Sequence, residues 1–363
     1  MKNTLRFSAI AAVSALALAA CSSAPEEEAD PTTSATETTP VETIDYKACM
    51  VSDEGGFDDG SFNQSGFEGL QQAASDLGID VATAESEGVD QYMPNIEAMV
   101  AAECDLIITV GFALSSATVE AALANPDVSF AIVDDWADND FDGTTDAPNI
   151  KPLTFQTDEA AYLAGYAAAS ASESGTIATF GGMNFPSVSI FMDGYLAGAN
   201  AYNEETGSSV NVLGWDGADG AFTGDFSDLS KGQTTAQGFI DQGADIILPV
   251  AGPVGGGAAA AAQAAGGTWI VGVDADWTVT FPEYSDIIFT SILKNIGNAV
   301  YDTISEGVSD AGISYEPYSG TLENGGVGVA PFADGAISAD IEAKLQELTD
   351  GIIAGEITPN TAG

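Results

Sequence analysis

The run Asp53-Glu54-Gly55-Gly56-Phe57-Asp58-Asp59-Gly60-Ser61-Phe62-Asn63-Gln64-Ser65 sets an aromatic ring beside a carboxamide directly after a strand-like segment. Its glycines make a loose loop, and Ser-Phe-Asn-Gln opens a helix, so Phe62 and Asn63 stand at a helix N-terminus above a sheet. A ring that stacks on a flat ligand, next to an amide that hydrogen-bonds the ligand's edge, is a recognition pair. Packing of Phe62 onto its own helix is the competing reading. A second feature is a unit that occurs twice. Cys104-Asp105-Leu106-Ile107-Ile108-Thr109-Val110-Gly111 leads through a helical stretch to Phe130-Ala131-Ile132-Val133-Asp134. Ala244-Asp245-Ile246-Ile247-Leu248-Pro249-Val250-Ala251-Gly252 leads likewise to Trp269-Ile270-Val271-Gly272-Val273-Asp274. The spacing is 29 residues from Asp105 to Asp134 and again from Asp245 to Asp274. Two equivalent lobes follow, with Asp134 and Asp274 beyond strand C-termini, facing one another across a cleft. Ordinary loop carboxylates in an acidic chain are the alternative.

Charge limits the ligand more than the fold. All 55 acidic residues lie after residue 20, whereas of the seven basic residues only Lys47, Lys151, Lys231, Lys294 and Lys344 do, so five against 55 leaves −50. That part of the chain has no Arg, and the whole chain has no His. Nucleic acid is excluded as a partner because it needs many phosphate contacts, and a phosphorylated small ligand lacks a guanidinium fork to hold it. The ligand is expected to be neutral or cationic. An acidic, Lys-poor surface also suits salty surroundings, where screening weakens self-repulsion. Enzyme signatures are missing too: there is no Gly-x-Ser-x-Gly and no Gly-x-x-x-x-Gly-Lys-Ser/Thr. Hydrolysis of a glycosidic bond by Asp134 and Asp274 is the remote catalytic reading, and neutral-sugar binding the nearer alternative. No cofactor is expected. For metals, Asp138-Asn139-Asp140-Phe141-Asp142-Gly143 with Asp146 resembles the first half of a calcium loop, but Asn149 stands at position twelve where a bidentate Glu belongs. A solvated loop between lobes is the favoured reading there.

The elements that position these residues alternate throughout. Strand-like runs fall at 46–52, 79–84, 105–110, 129–134, 151–155, 176–180, 210–214, 245–250, 269–273 and 287–292, mostly with helical stretches between them. Ten strands in βα order imply two doubly wound parallel sheets. The expected division is lobe 1 over 45–150 and 275–315, and lobe 2 over 151–274 and 316–363. Residues 135–150 then read as the connection from the first lobe to the second, and the chain returns near 275. Ahead of them, Lys2 and Arg6 precede an apolar run, Phe7 to Leu18, closing in Leu18-Ala19-Ala20-Cys21, which reads as a lipoprotein signal over 1–20 with Cys21 the lipidated residue. Residues 21–44, rich in Ser, Thr, Pro, Ala and Glu, are expected to be a disordered tether. Cys49 and Cys104 lie on runs that a 2-1-3 strand order makes neighbours, so a disulfide or two buried thiols are the choices.

Several of these segments together resemble the basic membrane protein family: Asp59-Gly60-Ser61-Phe62-Asn63-Gln64-Ser65, Phe130-Ala131-Ile132-Val133-Asp134, Ala160-Ala161-Tyr162-Leu163-Ala164-Gly165, Gly181-Gly182-Met183-Asn184-Phe185-Pro186 and Val271-Gly272-Val273-Asp274. The resemblance runs in order through most of 45–305. It implies a type I periplasmic-binding-protein fold, two lobes joined by a hinge, in an extracytoplasmic lipoprotein that binds purine nucleosides for an ABC importer and works with its permease and ATPase subunits, as a monomer held to the membrane by its lipid. By the same resemblance Phe62 stacks on the base, Asn63 lies beside it, Asp134 recognises the base, and Asp274 and Lys294 hold the ribose. No aromatic lies in 245–252, where a second stacking ring is sought, so Phe191 and Trp277 are the substitutes.

Overall fold

The computed structural model describes residues 43–360. The expected signal, Cys21 and nearly all of the tether lie outside the described residues. In chain order the elements are β1 (Lys47–Ser52), α1 (Phe62–Leu77), β2 (Asp80–Ala84), α2 (Val89–Ala101), β3 (Leu106–Val110), α3 (Ser115–Ala124), β4 (Ser129–Val133), β5 (Ile150–Phe155), α4 (Thr157–Ala171), β6 (Thr176–Gly181), α5 (Pro186–Thr206), β7 (Asn211–Leu213), α6 (Leu229–Ile240), β8 (Ile246–Val250), α7 (Pro253–Ala265), β9 (Trp269–Asp274), α8 (Trp277–Thr280), β10 (Ile288–Lys294), α9 (Ile296–Val308), β11 (Tyr318–Gly320), β12 (Val327–Val329) and α10 (Ala339–Ile353).

Two six-stranded sheets result, ordered β11-β5-β4-β3-β1-β2 and β12-β10-β9-β8-β6-β7. The orders superimpose strand for strand, which is what the repeated unit implied. Every pairing is parallel except β10 with β12. Central strands such as β3 (LIITV) and β8 (IILPV) are buried along their whole length, because helices cover both faces of a parallel sheet. The first aspartate of each repeated unit is structural. Asp105 accepts the Lys47 backbone N–H at 2.7 Å, and Asp245 accepts from Ser172 Oγ and from the N–H groups of Glu173 and Ser174, each at 2.7 Å. Cys49 in β1 and Cys104 just before β3 are joined as a disulfide, with Cα atoms 6.0 Å apart.

The chain crosses between the sheets three times: from Phe155 to Thr157, from Lys294 to Ile296, and from Gly320 to Val327. Helix α4 packs on α5, β10 and β12, and α9 packs on α1 and β3. This moves the expected lobe limits. The loop 135–149 is no crossing, since β4 and β5 belong to one sheet. The return is at 295 rather than 275, because β10 pairs with β9, and β11 falls in the first sheet rather than in the second lobe. A long polar loop imitated a linker, whereas the first two crossings occupy a single residue each. Hydrogen bonds tie the crossings together: Gln156 N donates to Gly320 O at 2.8 Å, Asn295 N to Gly326 O at 2.9 Å, and Leu322 N to the Glu159 carboxylate at 2.6 Å.

Candidate ligand-binding site

The C-terminal ends of the parallel strands in both sheets converge on one cavity, where dipoles and loop ends of doubly wound sheets receive ligands. From the first lobe it is lined by Asp53, Glu54, Asp59, Phe62, Asn63, Phe112 and Asp134, and from the second by Phe185, Phe191, Phe226, Asp274 and Lys294, among others. Asp134 and Asp274 occupy matching places and matching backbone conformations. Their φ angles are 68° and 67°, in the left-handed region that costs a side chain free energy and that Asp tolerates better than most residues. Each carboxylate is thereby turned off its strand end into the cleft.

Lys294, the last residue of β10, lies between them. Its Nζ is 2.6 Å from Asp134 Oδ2 and 3.7 Å from Asp274 Oδ1, and its side chain is only 3 % exposed. The ammonium also stands 4.8 Å from the centre of the Phe62 ring and 5.2 Å from that of Phe191. Asp134 is therefore the principal partner of Lys294, with Asp274 the more distant one. Burial raises the Asp134 carboxyl above the usual carboxylate range, and Lys294 opposes that shift. Asp274 Oδ2 instead accepts the Ser61 hydroxyl at 2.7 Å, a bond from lobe to lobe.

Asp59 caps α1. Its two oxygens accept the backbone N–H groups of Ser61, Asn63 and Gln64 at 2.9, 2.9 and 3.0 Å, which leaves the Ser61 hydroxyl free to reach Asp274. Burial is the main influence on Asp59 and raises its carboxyl; these N–H groups act against it. Asn63 is fully buried at the second residue of the helix. Its amino group donates to Asp53 Oδ1 at 2.9 Å, with Glu54 O and Asp59 Oδ2 each at 3.4 Å, so the amide contributes only its oxygen to a ligand, and that oxygen has no partner.

Trp277 does not line the cavity. It is completely buried behind β9, its indole N–H donating to Val273 O at 2.9 Å and its ring against Phe281 and Gly272, because α8 turns it inward. Phe191 does line it. Sequence reasoning missed Phe112, Phe185 and Phe226. The last two lie outside 245–252, in the loops after β6 and before α6, where Phe185 precedes the helix-starting Pro186 of a Gly-Gly-Met-Asn-Phe-Pro motif. Phe112 and Phe185 meet across the cleft with ring centres 4.9 Å apart. Away from the cleft, Asp138, Asp140 and Asp146 bring carboxylate oxygens within 4.8 Å of one another, but Asp142 is not among them. The Asp138 oxygens accept N–H groups of Asp142 and Gly143, and Asn149, buried, donates to the carbonyls of Ala122, Asn125 and Val128 instead. The loop is held by its own aspartates.

A family profile described as ABC transporter substrate-binding protein PnrA-like matches residues 46–357. The chain belongs to this family. It is 33 % identical to the ABC transporter nucleoside-binding protein BmpA of Lactococcus lactis subsp. cremoris over 98 % of each chain, and 33 % identical to Basic membrane protein A of Borreliella burgdorferi over 86 % of each. Among solved structures, an ABC transporter system solute-binding protein from Aeropyrum pernix K1 superimposes with a TM-score of 0.75 at 26 % identity, covering 86 % of this chain and 92 % of its own. This member of the family accordingly has the two-lobed α/β fold of ABC-transporter substrate-binding proteins, with the cavity between its lobes.

Proposed function

We propose that this substrate-binding protein captures a purine nucleoside in the inter-lobe cavity and delivers it to the permease of an ABC importer, as a monomer outside the cytoplasm anchored by lipid at Cys21. The observation that carries the reading is the convergence of Phe62, Asn63, Asp134, Asp274 and Lys294 on one cavity. Aromatic faces suit a flat base, and the carboxylates and the Asn63 oxygen suit its N–H groups and the hydroxyls of a ribose. The relative named as nucleoside-binding supports the same ligand. In this reading Phe62 stacks on the base, with Phe185, Phe191 and Phe226 as the aromatic wall of the other lobe. Asn63 and Asp134 meet the base edge, while Asp274 and Lys294 hold the ribose. The cavity's surplus of carboxylates over one lysine argues against phosphorylated nucleosides, whose charge it would repel.

A thermal-shift screen tests the ligand class. A nucleoside present at a hundred times its dissociation constant adds about 2.7 kcal/mol of stability, and guanosine or inosine is expected to raise Tm while arabinose, glucose and galactose do not. The reverse pattern would establish the sugar reading. Free base appearing on incubation with inosine would establish a hydrolase. Anchoring is tested by Cys21→Ala, which is expected to release a ligand-competent protein from the membrane fraction; unchanged membrane association would refute the lipid.

A further inference from the structure

Three of the four aspartates in the cavity are compensated by protein groups, and one is not. Asp59 accepts three backbone N–H groups, Asp134 accepts Lys294, and Asp274 accepts Ser61 with Lys294 close by. Asp53, directly after β1, has a single donor, Asn63 Nδ2 on Oδ1. Its Oδ2 lies against the bare Cα of Gly111, where an added Cβ would stand 2.1 Å away, and no donor among the described residues reaches it. The titratable groups facing Asp53 come from three elements: Glu54 and Asp59 from its own loop, Asp134 from the end of β4, and Tyr92 from α2. None is cationic, and Lys294 is committed to Asp134 and Asp274.

We infer that Asp53 enters the closed cleft as the neutral carboxylic acid and donates its hydroxyl to an acceptor atom of the bound nucleoside, so that closure on the ligand takes up about one proton. This rests on the nucleoside reading and adds to it a donor at the base edge, where the free groups of Asn63 and Asp134 only accept. Burial, then the neighbouring carboxylates, push the Asp53 carboxyl well above the ordinary range, and the Asn63 bond only partly offsets them. Asp53 is part-buried here, and opening of the cleft would admit more water and return its carboxyl toward that range. The proton therefore binds on closing. Affinity is full below the open-state value and falls by up to about tenfold per pH unit from there to the closed-state value.

The test is isothermal titration with guanosine near neutral pH in phosphate and in Tris, whose ionisation enthalpies differ, so that the buffer-dependent heat counts protons. The unmodified protein is expected to take up about one proton per guanosine and Asp53→Asn to lose that uptake and flatten the pH dependence of affinity, while Asp140→Asn, outside the cleft, retains it. Equal heats in the two buffers for the unmodified protein overturn the inference whether or not the variants fold. Undiminished uptake in Asp53→Asn overturns it as well. Guanosine binding without proton uptake leaves the nucleoside reading intact, whereas absence of binding by any nucleoside removes both.

Discussion

At the scale of single residues, the cavity separates contacts to a sugar from contacts to a base. Asp274→Ala is expected to weaken ribonucleosides by about ten- to a hundredfold, since a hydrogen bond from a hydroxyl to a charged group contributes about 1.5–3 kcal/mol. It should weaken 2′,3′-dideoxynucleosides much less, by the share that the Ser61 bond gives to closure. Phe62→Ala removes stacking of about 1–3 kcal/mol and should affect both ligand types alike. Titrations of guanosine and its dideoxy form decide; equal losses in Asp274→Ala would remove the ribose assignment. Lys294→Met leaves Asp134 buried without its cation, a change that costs about 3–5 kcal/mol when a buried pair is broken by one partner. The expected signs are a lower Tm and loss of measurable guanosine binding at neutral pH, with partial recovery in acid as Asp134 takes up a proton. Neutral pH without any loss of binding would show that the pair has no part in closure.

Among the elements, the strands and their order were legible and the crossings were not. Ten runs marked strands that lie within two residues of β1 to β10, mostly because strands buried on both faces are continuously apolar, the exposed edge strands β2 and β7 being the exceptions. β11 and β12 are three residues each and carry Gly or Ser, so no pattern marks them. The matched aspartates were visible as spacing, but their left-handed conformation and the Lys294 contact to Asp134 depend on how two lobes close, which spacing does not encode. Trp277 misled for a simple reason: a large aromatic beside Asp274 fills the back of β9 as well as it would line its front. The Cys49–Cys104 bond closes a loop of 55 residues between adjacent strands. By chain entropy it stabilises the first lobe by about 4 kcal/mol. Cys104→Ser is expected to lower Tm markedly under oxidising conditions and to erase the effect of reductant, which differential scanning calorimetry with and without dithiothreitol measures; an unchanged Tm would show that the thiols are not paired.

Over the whole molecule, charge and the uneven placement of aromatic groups set what can be observed. With five lysines against 55 carboxylates after residue 20, and all five lysines hydrogen-bonded or ion-paired, most carboxylates face like charges. Raising salt from about 0.1 M to about 1 M shortens the screening length from roughly 10 Å to roughly 3 Å, so Tm should rise over that interval. A flat or falling Tm would mean that repulsion is a minor cost to the fold. Three of the four tryptophans, Trp215, Trp269 and Trp277, belong to the second sheet's lobe, while Trp136, half exposed in the loop after β4, is the one belonging to the first. Tryptophan emission is therefore a one-sided optical window. Denaturation followed by fluorescence watches mainly the lobe without the disulfide, and far-ultraviolet circular dichroism watches both, so the separation between the two curves after reduction measures how far one half can melt while the other still glows as native.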